Sequence, residues 1–86
     1  MEELPKFLDL VNPVIAVLTE AGKPLTNSEI ESAIIEKLQI SSSLASVIHS
    51  GTRTELQYRL AWARTKAKSL GRIDRPKRET WAIKSN

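Results

Sequence analysis

One change of periodicity constrains this chain more than any other feature. Up to Gly71 apolar residues recur every three or four positions, and beyond it they alternate with polar or small ones. The first spacing belongs to helices with one apolar stripe, the second to strands with one buried face. The chain therefore reads as α+β, mainly α, with its helices first and a short β-hairpin last. Its 86 residues suffice for one modest core, so residues 1–86 read as a single domain.

The helices carry their own start and stop signals. Over residues 4–21, Phe7, Leu8, Val11, Val14, Ile15 and Leu18 form one stripe that Gly22 closes. Pro13 has no N–H to give, so a kink or a restart with Asn12 as N-cap is expected there. Thr26-Asn27-Ser28-Glu29 has capping-box spacing and predicts a helix over 27–38, with Ile30, Ala33, Ile34 and Leu38 on one face. The serine-rich stretch 41–50 reads as a connector with one helical turn, ending in a Ser50-Gly51 turn. A second box, Thr52-Arg53-Thr54-Glu55, opens the longest segment, which runs to residue 70 with Leu56, Leu60, Ala63, Ala67 and Leu70 as its stripe. Residues 72–75 and 80–84 then read as two strands around Pro76-Lys77-Arg78-Glu79. A lone hairpin is marginal, so Ile73, Trp81 and Ile83 should pack on the helices.

Charge is distributed as unevenly as periodicity. Residues 1–50 hold three Lys against seven Asp and Glu, a balance of −4; residues 51–86 hold ten Lys and Arg against three Asp and Glu, a balance of +7. A basic last third implies a polyanionic partner or, more plainly, a solvated helix face. The absence of cysteine removes disulfides and thiolate metal sites, and a lone histidine, His49, makes a transition-metal site improbable. No apolar run reaches the ~18 residues of a membrane span and the N-terminus is acidic, so a cytoplasmic protein without a membrane partner is expected. There is no Ser/His/Asp set, no glycine-rich phosphate loop and no carboxylate pair spaced with a lysine for metal-dependent cleavage. The chain reads as non-catalytic, without cofactor or small-molecule substrate.

Three helices followed by a hairpin is the winged helix-turn-helix plan, in which the third helix enters the major groove of double-stranded DNA and the wing touches the backbone. On that plan Gln57, Ala61, Arg64 and Thr65 face the groove. Gln57 suits adenine and Arg64 guanine, while Ala61 and Thr65 permit close approach to base edges or a methyl group. Arg53, Lys68, Arg75, Lys77 and Arg78 fall at helix ends and at the hairpin tip, where long cations meet phosphates. Trp62 reads as core or core edge, Trp81 as the residue that packs the wing on the helices. Arg59 is open between internal pairing and DNA contact.

Four motifs, in order, also resemble a known family: Val47-Ile48-His49-Ser50-Gly51, Tyr58-Arg59-Leu60-Ala61-Trp62-Ala63, Leu70-Gly71 and Pro76-Lys77-Arg78-Glu79-Thr80-Trp81. The chain is similar over nearly its whole length to the N-terminal domain of the Mrr restriction-system proteins. The resemblance implies a winged-helix module that precedes a nuclease domain cutting modified, usually methylated, DNA: the recognition module of a modification-dependent, type IV restriction system. Tyr58 stands where a polar, Asn-like residue is expected, and Glu79 where the wing turn usually has glycine, which implies a reshaped and less positive tip. Other readings stay open: a protein-interaction or homodimerising winged helix using Tyr58 and Trp62, a free-standing transcriptional regulator, or a piece of a nuclease whose catalytic part follows in a longer chain.

Overall fold

The computed structural model describes residues 3–84, an α+β arrangement that is mainly helical. Helix α1 (Phe7–Ala21) leads to a two-residue strand β1 (Leu25–Thr26), then to α2 (Asn27–Leu38) and a single turn α3 (Ser42–Ala45). Strands β2 (Ile48–Ser50) and β3 (Arg53–Thr54) follow, then α4 (Glu55–Ser69) and the hairpin β4 (Ile73–Lys77) and β5 (Thr80–Ile83). The described residues thus hold four helices rather than three, the added one being the turn expected in the connector.

Helix α1 passes through Pro13 without a break, so neither a restart at Asn12 nor a second N-cap occurs. It begins at Phe7 rather than Leu4, because the residue before Pro5 is biased away from helical backbone. Its buried face is Leu10, Val11, Val14, Ile15, Val17 and Leu18, while Leu8, assigned to the stripe from spacing, is 60% exposed. Gly22 ends the helix in the left-handed conformation and donates its N–H to the Leu18 carbonyl at 3.2 Å.

Helix α2 has the bounds its capping box predicts. The Thr26 hydroxyl accepts from the Glu29 N–H at 3.2 Å, and the Glu29 carboxylate accepts from the Thr26 N–H at 2.9 Å. The second box is shifted: Thr54, not Thr52, is the N-cap of α4, and its partner is Gln57, not Glu55. Thr52 and Arg53 are unavailable for helix because Arg53 and Thr54 pair antiparallel with β2 as a short strand that periodicity does not reveal.

The hairpin does not stand alone. Strand β1 pairs antiparallel with β5, Leu25 opposite Trp81 and Thr26 opposite Thr80, giving a three-stranded sheet in the order β1-β5-β4. One extra residue between Asp74 and Lys77 bulges β4, and Pro76 sits within that bulge, where a missing ladder donor is tolerated. Ile73 and Trp81 are buried in the core that α1, α2 and α4 build from Leu10, Val14, Leu18, Ile30, Ile34, Leu56 and Leu60. Leu70, the last residue of the expected α4 stripe, is 56% exposed because the helix ends at Ser69. No helix among the described residues is long and apolar enough to cross a membrane.

Glu79, in the hairpin turn, adopts φ 58, a conformation that glycine takes freely and a side chain does not. Glu79→Gly is therefore expected to raise unfolding stability by about 1 kcal/mol in urea titration. A variant equal to or weaker than wild type would show that the turn is unstrained.

Candidate nucleic-acid interface

The sides of α4 follow from helical geometry. With about 100° per residue, Leu56, Leu60, Ala63 and Ala67 fall within a narrow sector, and Ala61 and Thr65 lie nearly opposite. All four of the first set are fully buried; Ala61 is half-buried and Thr65 exposed, its hydroxyl donating back to the Ala61 carbonyl at 2.9 Å. These two groove candidates face outward.

Gln57 and Arg64 do not. Both project sideways from the buried stripe, Arg64 about 40° beyond Leu60, toward the first turns of α2 and Trp81 of β5. The Gln57 carbonyl oxygen accepts from the Thr54 N–H at 3.0 Å, and its amide donates to the Glu31 carboxylate at 3.3 Å. Arg64 is 8% exposed. Its guanidinium lies over the Trp81 ring at 5.6 Å, and its Nε is buried with no acceptor. Burial first, then the positive charge of Arg53, push Arg64 down to about 10; Glu31 pulls the other way and Arg75 adds to the depression.

In their place the outer face presents aromatics. Tyr58 and Trp62 fall opposite the stripe by the same arithmetic, and with Arg53, Ala61 and Thr65 they line a shallow depression of about 290 Å³. Trp62 is 48% exposed, so the core reading is corrected. His49 stacks on Tyr58 at 3.9 Å, Tyr58 meets Trp62 edge-on at 6.4 Å, and Phe7 approaches Trp62 at 6.4 Å. The Arg53 guanidinium sits 5.7 Å from the Tyr58 centroid. The spacing of Tyr58 and Trp62 around α4 was the available signal for this row.

The phosphate candidates Arg53, Lys68, Arg75, Lys77 and Arg78 are all exposed. None of them forms an ion pair with a described carboxylate. Arg75 lies over the Trp81 ring at 5.4 Å, and Lys77 and Arg78 occupy the hairpin tip. Arg53, in β3 just before α4, lines one depression with Tyr58 and Thr65; Lys68 is on the last turn of α4. Among the described residues no three His, Asp or Glu side chains converge as a metal site requires.

Arg59 is occupied internally. Its Nε donates to Glu55 at 2.8 Å, and one terminal nitrogen donates to the carbonyls of Leu4 and Pro5 at 2.9 and 3.1 Å, which anchors the segment before α1 to α4. The hydrogen bond from Arg59, then that from His49, holds the Glu55 carboxyl below its ordinary value of 4.5. A carboxylate depressed in the folded state contributes stability above its unfolded pKa and loses it as pH falls through the folded one. The Tm difference between wild type and Glu55→Gln should accordingly shrink on acidification from about pH 6 to about pH 3. A difference that stays constant over that range would exclude this role.

Searches of curated proteins and of solved structures gave no significant match. The family model described as the Mrr N-terminal domain matches residues 7–86, from the first residue of α1 through the hairpin. With nearly the whole sequence matched, the chain belongs to the Mrr N-terminal domain family.

Proposed function

We propose that this chain binds double-stranded DNA as the recognition module of a modification-dependent, Mrr-like restriction system. The fold is read as a winged helix, with α4 directed at the major groove and the β4–β5 hairpin as a wing along the backbone. The observation that carries this reading is the set of exposed cations Arg53, Lys68, Arg75, Lys77 and Arg78, free of described carboxylate partners, on β3, α4 and the hairpin of a family member. Cations that fold stability does not consume are available to phosphates. Base reading then falls to Ala61, Thr65, Arg53 and Tyr58 rather than to Gln57 and Arg64, whose polar groups are buried or bonded. Ala61 and the Thr65 methyl suit apolar contact with a methyl group in the groove. The module itself is taken as non-catalytic; cleavage would belong to a nuclease segment outside it.

The row of half-buried Phe7 and Tyr58 with exposed Trp62 favours a second reading, docking of a protein partner or a second copy. Salt separates the two. Neutralising about five phosphates gives a slope of log affinity against log salt near −4 to −5. Fluorescence anisotropy on short duplexes should show that slope. Arg78→Ala should weaken all duplexes alike and lower the slope by about 1, whereas Thr65→Ala should alter only the preference between methylated and unmethylated duplexes. Absence of binding at about 50 mM salt, together with salt-insensitive self-association, would replace the DNA reading with the protein one.

A further inference from the structure

We propose that the cleft between the first turn of α2 and the flank of α4 is a binding site for one phosphodiester group, held by the Arg64 guanidinium, Arg53 and the Ser28 N–H. The cleft encloses about 250 Å³ and is lined by Ser28, Glu31, Arg53, Gln57, Arg64 and Glu79, among others. At its base Arg64 is more than nine-tenths buried, with an Nε–H that reaches no acceptor and no described carboxylate at ion-pair distance. A buried guanidinium without hydrogen-bond partners is costly, and an oxyanion in the cleft would bond its terminal N–H groups, with the enclosed Nε–H reporting the change.

The opposite wall supplies a matching donor. In the first turn of α2 the Glu29 N–H is taken by the Thr26 hydroxyl and the Asn27 N–H by the Glu79 carbonyl, at 3.0 Å for the latter. The Ser28 N–H is left over at the positive end of a 12-residue helix.

Charge selects the ligand. Arg53 and Arg75 both stand close enough to Arg64 to disfavour its charge, and Glu31 and Glu79 line the cleft with Arg53 and Arg64. The lining itself balances, two guanidiniums against two carboxylates, and Arg75 beside Arg64 adds one positive charge. A phosphodiester monoanion balances it, whereas a phosphate dianion exceeds it and meets the two carboxylates. The cleft lies beside the depression formed by Arg53 and Tyr58, so the site deepens the DNA reading by seating one backbone phosphate; its geometry does not depend on that reading.

The test is an NMR titration of the whole chain at constant ionic strength with dimethyl phosphate, with inorganic phosphate and with a short duplex. The Arg64 Nε–H and the Ser28 amide are followed. Dimethyl phosphate should shift both saturably and more strongly than inorganic phosphate, and the duplex should shift the same two signals. Arg64→Met should weaken dimethyl phosphate about tenfold, and the exposed Arg53→Ala a fewfold. Should Arg64→Met fail to fold, the wild-type Nε–H signal and Arg53→Ala decide the matter. A duplex that binds by anisotropy without moving either signal overturns the site and leaves the DNA reading standing. Dimethyl phosphate binding at these signals without any duplex binding supports the site and removes the DNA reading. No saturable shift with any of the three probes overturns the site.

Discussion

The indole of Trp81 is the joint between the hairpin and the helices. It is 6% exposed, and its N–H donates to the Asn27 side chain at 2.7 Å. Arg64 of α4 and Arg75 of β4 both place their guanidiniums over its ring. A buried indole N–H without an acceptor would cost about 1–3 kcal/mol, so Asn27, the first residue of α2, determines where β5 can lie. The backbone agrees with the side chain: the Asn27 N–H donates to the Glu79 carbonyl, and Leu25 pairs with Trp81. The positions of Lys77 and Arg78 relative to α4 are thus consequences of how one aromatic residue is satisfied.

The same joint divides the cations of α4 into two kinds. Covering one flank of the helix with β5 encloses Arg64, while Lys68, a turn further on, stays in solvent. The enclosed guanidinium keeps its charge but loses its water, and Glu31, the carboxylate that favours that charge, is already engaged by Gln57. That combination turns a residue suited by type to reading guanine into the floor of a polar cleft. Arg59 meets a third fate, spent on Glu55 and on the carbonyls before α1.

Much of the architecture was legible because its signals are local. The box at Thr26 and Glu29 satisfies backbone donors within one turn and needs no distant partner, so the bounds of α2 could be read directly. The glycines at 22 and 71 take positive φ at the helix ends, and the alternation around Trp81 marks β5. Where a local signal had a competitor, tertiary pairing chose between them. Two threonines precede α4 and either could cap it; pairing of Arg53 and Thr54 with β2 left only Thr54. Leu8 and Leu10 are equally apolar, and the direction in which α1 meets α4 buries Leu10 and leaves Leu8 in water.

By itself the sequence determined the class of fold, the order of the main helices and the hairpin, the concentration of positive charge after Ser50 and the family, because periodicity, caps and spaced motifs are properties of neighbours along the chain; strands β1, β2 and β3 were not legible in it. Only the tertiary structure decided which side chains of α4 meet solvent. Trp62 emerged and Arg64 and Gln57 were withdrawn, since exposure on a helix flank depends on what packs beside it. That neighbour is a strand lying 17 residues further along the chain from Arg64, held in place by Leu25 and Asn27 on its other side.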